Sequence, residues 1–104
     1  PGAAATPTTG AGSQAGMQEV VIIAKDDVFE PVSYTVTGNG PLRITARNDG
    51  QHVHEVEVKG LMPETKLTPG QSKTVDVQSV EPGTYRIYCE IHEDQGMEGE
   101  LIVK

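Results

Sequence analysis

The stretch PGTYRIYCEIHEDQGMEGELIV, residues 82–103, decides how this chain reads. It opens on the turn pair Pro82-Gly83 and continues through Thr84, Tyr85, Arg86, Ile87, Tyr88 and Cys89. Tyr85, Ile87 and Cys89 share one parity, and Thr84, Arg86 and Tyr88 the other. A strand over 83–88 is therefore predicted, delivering Cys89 toward a core while Thr84, Arg86 and Tyr88 face outward. A second strand is predicted over 98–103. Between the two, Cys89, His92 and Met97 form C-x2-H-x4-M, and Gly96 gives the connection backbone freedom to bring three side chains toward one point.

The same alternation extends upstream. Leu42, Ile44 and Ala46 interleave with Arg43, Thr45 and Arg47, and Val75 and Val77 with Thr74, Asp76 and Gln78. Twelve Val and six Ile against four Leu favour pleated strands over helices. Strands are predicted over 18–24, 32–37, 42–48, 53–59, 72–78, 83–88 and 98–103. The separators are turn formers: Gly38-Asn39-Gly40-Pro41, Asn48-Asp49-Gly50, Pro69-Gly70 and Pro82-Gly83. The expected fold is all-β, a Greek-key β-sandwich of about seven to eight strands. No long 3.6-residue period, internal repeat, Gly-rich phosphate loop or G-x-S-x-G elbow competes with that reading.

Composition narrows the function. A chain of 104 residues supports one hydrophobic core. Eight Lys and Arg against 15 Asp and Glu give a net charge of −7, the wrong sign for binding phosphate backbones, so no nucleic-acid partner is expected. No run approaches the ~20 apolar residues of a membrane-spanning helix. One cysteine rules out an internal disulfide, a four-cysteine zinc site and a two-cysteine redox motif. Residues 1–16 contain only Ala, Gly, Thr, Pro, Ser and Gln, which predicts a flexible tether ahead of a folded domain over 17–104. The tether lacks the charged and apolar regions of an uncleaved signal peptide, but suits the stalk left after processing. A periplasmic or otherwise extracytoplasmic location is expected, with the N-terminus as the place for any membrane anchor.

The chemistry lies in a constellation of four residues. His54 is in register with Val56 and Val58, and Glu55, Glu57 and Lys59 alternate with them toward solvent, so His54 points inward. With Cys89, His92 and Met97 it completes H…C-x2-H-x4-M. One thiolate, two imidazoles and a weak thioether are the donor set of blue-copper electron transfer, and suit both Cu(I) and Cu(II) with little rearrangement. Zinc is physically allowed by the same imidazoles and thiolate. Two further donors stand nearby. Strand parity turns Glu55 away from the face of His54, and His52 shares parity with His54 but reads as a surface residue.

At these residues the sequence resembles the cupredoxins, the small type 1 copper proteins that include plastocyanin, pseudoazurin and azurin. The segment from Asn48 to His54 resembles the one in which an Asn precedes the first His ligand by six residues. The segments from Pro82 to His92 and from Gly96 to Val103 resemble the closing motif with Tyr before Cys. The resemblance implies that His54, Cys89, His92 and Met97 hold one copper. Glu55, where Asn is frequent, and Ile91, where Pro is frequent, depart from it.

The implied function is a monomeric electron carrier shuttling one electron through Cu(I)/Cu(II) to redox protein partners. The alternative is a copper-binding module for storage, delivery or sensing. No enzymatic activity is expected, because Cys89 and His92 lack the orienting group and oxyanion motif of a nucleophile-base pair. His92 is the expected electron gateway. Val53, Leu61, Met62, Pro63 and Ile91 are expected to form an apolar docking patch around it, with Glu90, Glu93, Asp94 and Glu98 attracting a basic partner.

Overall fold

A computed structural model describes residues 17–26, 28–89 and 97–104. The expected tether, and the loop carrying Glu90, Ile91, His92, Glu93, Asp94 and Gly96, lie outside the described residues. Among the described residues eight strands follow in order: β1 (Gln18–Ala24), β2 (Ser33–Val36), β3 (Leu42–Asn48), β4 (His54–Val58), β5 (Met62–Leu67), β6 (Ser72–Val77), β7 (Gly83–Cys89) and β8 (Glu98–Val103). No helix among the described residues is long and apolar enough to cross a membrane.

The strands form a three-stranded sheet, β1-β3-β6, and a five-stranded sheet, β2-β8-β7-β4-β5. Only β4–β5 and β7–β8 are consecutive strands within one sheet; every other connection passes from one sheet to the other. β1 pairs in parallel with β3, and β2 with β8, while the remaining ladders are antiparallel. Alternation explains the layering. Val20, Ile22 and Ala24 of β1 and Leu42, Ile44 and Ala46 of β3 are buried against Val56, Val58, Ile87, Leu101 and Val103 of the other sheet. Phe29, the one phenylalanine, closes the core beside β1 through an Ala24–Phe29 bridge.

The structure differs from the sequence reading at β5, which was not among the predicted strands. Its sequence, MPETKL, has no period-2 apolar pattern and contains Pro63. Position reconciles the two: β5 is an edge strand, where a missing N–H leaves no ladder bond broken. It is joined to β4 by a turn in which the Leu61 N–H donates to the Val58 carbonyl at 2.9 Å, with Gly60 at φ +84°. Met62 is consequently a core residue, 1% exposed, and the expected docking role for it is wrong. Leu61 and Val53 are half-buried and Pro63 is exposed. Tyr88 also departs from expectation. Its parity faces outward, yet it is 7% exposed, because the Arg86 guanidinium lies over its ring at 4.4 Å from the centroid.

Candidate metal centre

Strand ends gather at one pole of the sandwich. β7 ends at Cys89, β4 begins at His54, β3 ends at Asn48, and Met97 immediately precedes β8. All four side chains are fully buried. The ladder places Val56 opposite Cys89, so the β4 segment leading to His54 runs beside the end of β7.

Cys89 Sγ and His54 Nδ1 face each other at 3.6 Å. Metal–sulfur and metal–nitrogen bonds of about 2.3 and about 2.0–2.1 Å, spread at a tetrahedral angle, would separate the two donors by about 3.6 Å. The pair therefore fits two ligands of one ion. The Glu55 backbone N–H donates to Cys89 Sγ at 3.4 Å, a contact that offsets charge on a thiolate. Met97 is held next to Cys89 through the backbone, its carbonyl accepting from the Cys89 N–H at 3.4 Å. His92, the remaining expected ligand, lies outside the described residues. Among the described residues no three His, Cys, Asp or Glu side chains are grouped so that they could hold a metal ion, so the described part of the donor set is His54 and Cys89 with Met97 beside them.

Asn48 braces this pole. Its Nδ2 donates to the carbonyls of His52 and Leu67 at 2.8 and 2.9 Å, and its Oδ1 accepts from the Gly50 N–H at 2.8 Å. A buried amide satisfied on both ends fixes the turn over 48–52 against the end of β5, and with it the entry to His54. Of the two alternative ligands, Glu55 behaves as parity requires, and His52, which shares parity with His54, lies at the surface because it precedes the strand. Glu55 is half-buried on the opposite face from His54, and His52 is a surface residue with its side chain 71% exposed.

One participant has no counterpart in the sequence motif. Asp26 Oδ1 accepts from the backbone N–H groups of Gln51 and His52 at 2.6 and 3.2 Å, and lies 3.8 Å from His54 Nε2. The Gln51 N–H holds the Asp26 carboxyl below the usual aspartate range against the opposing effect of burial, helped to a lesser degree by the His52 N–H.

The cupredoxin-like domain family matches residues 2–103. The chain belongs to that family. Copper is the cupredoxin cofactor, and the nitrogen–sulfur set here suits it. Among curated relatives, plastocyanin A/B of Petroselinum crispum is 33% identical over 96 residues, covering 80% of this chain and 97% of the relative. Among solved structures, the dithionite-reduced auracyanin of Roseiflexus castenholzii shares the fold with a TM-score of 0.68 at 18% identity, over 86% of this chain and 98% of that one. A multicopper oxidase also shares it, with a TM-score of 0.67 at 21% identity; 85% of this chain is covered but only 42% of the oxidase.

Proposed function

We propose that this cupredoxin carries single electrons between protein partners, holding one type 1 copper through His54, Cys89, His92 and Met97. The observation that carries the reading is the buried meeting of Cys89 Sγ and His54 Nδ1 at 3.6 Å. Copper bound there supplies a one-electron Cu(II)/Cu(I) couple. Cys89 brings a thiolate whose charge the Glu55 N–H offsets. Asn48 holds the turn ahead of His54, and the ladders of β7 against β4 and β8 keep Cys89 in place, so the ligands resist rearrangement when the charge of the site changes. Full burial of Cys89 keeps water from the sulfur. Met97, a weak thioether donor, tunes the site without being needed to hold the ion.

His92 is the proposed surface gateway, and the outer face of the five-stranded sheet is the proposed steering surface. Glu57 and Glu98 flank Tyr88 in register, Glu55 stands one pair nearer the metal pole and Glu100 one pair away from it opposite Arg86, and Tyr88 precedes Cys89. With a net charge of −7 this face favours a basic redox protein. The domain acts as a monomer outside the cytoplasm, with residues 1–16 as its tether. A non-enzymatic role is favoured over that of the larger oxidases, because three histidines are too few for additional histidine-rich copper sites.

The test is electron exchange by the copper-loaded protein. Fast self-exchange is expected, together with a second-order rate to a basic partner that falls as salt rises and falls again in Glu57→Lys. Stably bound copper with negligible self-exchange would favour storage or delivery instead.

A further inference from the structure

The carboxylate of Asp26 stands behind His54, at the ring nitrogen that does not face the sulfur. Nδ1 is directed at Cys89 Sγ, while Nε2 lies 3.8 Å from Asp26 Oδ1. The same oxygen anchors the segment leading to His54 through the Gln51 and His52 N–H groups and is 3.4 Å from His52 Nδ1. Gly50 supplies a second, independent observation. A Cβ at that position would fall 2.2 Å from Asp26 Oδ1, so the carboxylate reaches over the loop only because residue 50 has no side chain. Asp26 is itself set by local backbone bonds on either side, the Lys25 N–H donating to the Val28 carbonyl at 2.8 Å and the Asp49 N–H to the Ala24 carbonyl at 2.8 Å.

We propose that Asp26 is a positioning residue of the metal site, holding the loop that carries His54 and placing a fixed negative charge behind its ring. The inference rests on the reading of His54 and Cys89 as copper ligands. A carboxylate on the far side of a ligating imidazole fixes which nitrogen carries the proton and raises the basicity of the other. At 3.8 Å the interaction is one of charge, longer than a hydrogen bond. Negative charge stabilises the more positive oxidation state, so Asp26 favours Cu(II) over Cu(I) and lowers the reduction potential. The Asp26 side chain is 36% exposed, and water limits the size of the effect.

Asp26→Asn separates the two roles, since an amide oxygen still accepts from Gln51 and His52 but carries no charge. Glu81→Gln, exposed and on the turn before β7, controls for net charge. In the copper-loaded protein, Asp26→Asn is expected to lower the ratio of Cu(II) to Cu(I) binding constants about threefold to tenfold, a tenfold change being about 59 mV upward in potential. Its melting temperature should stay at the wild-type value, whereas Asp26→Ala should shift the potential likewise and melt lower. In the metal-free protein, nitrogen NMR of the His54 ring should show the Nε2–H tautomer in the wild type and a shift toward Nδ1–H in Asp26→Asn. A potential in Asp26→Asn equal to that of Glu81→Gln, or an unchanged tautomer, would overturn the proposal. Failure of the copper reading would appear separately, as a wild-type protein without a thiolate-to-copper band, and the metal-free tautomer measurement then decides the role of Asp26.

Discussion

The two poles of the sandwich are built from different materials. At one, Asn48, His54, Cys89 and Met97 are buried together, and Asn48 and His54 are the buried polar residues among those described. At the other, Leu42, Val36, Val80 and Val103 fill the space with hydrocarbon. There the sheets are closed by backbone bonds from Gly38 to Lys104 and Asn39 to Val80, and by the Gln18 side-chain amide, which donates to and accepts from the Thr37 backbone at 2.6 and 2.9 Å. Apolar packing supplies stability without regard to orientation, whereas a buried polar set has to be held at fixed angles. The contrast teaches that the core stabilises one pole so that the other can keep its donors aligned.

That division is broken if a change at one pole is felt at the other. Leu42→Ala should cost about 2–5 kcal/mol in denaturant unfolding, from lost burial and a residual cavity, while the copper spectrum of the folded protein stays the same. A shifted spectrum would mean that the poles are coupled. Asn48→Ala should cost less, about 1–3 kcal/mol, by stranding the Gly50 N–H and the carbonyls of His52 and Leu67. Unlike Leu42→Ala, it should broaden or shift the copper spectrum, because the entry to His54 loosens. An unaltered spectrum would restrict Asn48 to a stability role. The smallest effect belongs to neither pole. Arg43→Ala removes a surface pair with Asp76, whose two contacts measure 2.8 and 3.1 Å, and should change stability by about 0.2–1 kcal/mol, less at high salt.

The apolar pole was the more legible one. β1, β3 and β8 have their predicted bounds because β3 alternates cleanly and β1 and β8 are short β-branched-rich runs bounded by polar or turn residues. β5 was invisible to periodicity, since an edge strand with Pro63 needs neither alternation nor every N–H, and its omission misplaced Met62 at the surface. Tyr88 shows a different limit. Parity gives the side of the sheet, but its cover comes from Arg86 two residues back on the same strand, itself held by Glu98 on the neighbouring one. At the polar pole, the inward parity of His54 and Cys89 was readable, and Asn48 was marked by its spacing to His54. Asp26 and the Glu55 N–H were not, since both act through tertiary contacts that leave no period or motif in the chain.

The central claim is that the Cys89 thiolate and the His54 imidazole are ligands of one type 1 copper, and a titration of the protein with Cu(II), followed by visible absorption and EPR, tests it most directly. One equivalent is expected to bind, with an intense thiolate-to-copper band that disappears on reduction and is absent in Cys89→Ala, and the holo protein is expected to melt above the apo protein, since metal bound to the folded site stabilises it by mass action. Stoichiometric copper without colour, or a band that survives Cys89→Ala, would contradict the claim.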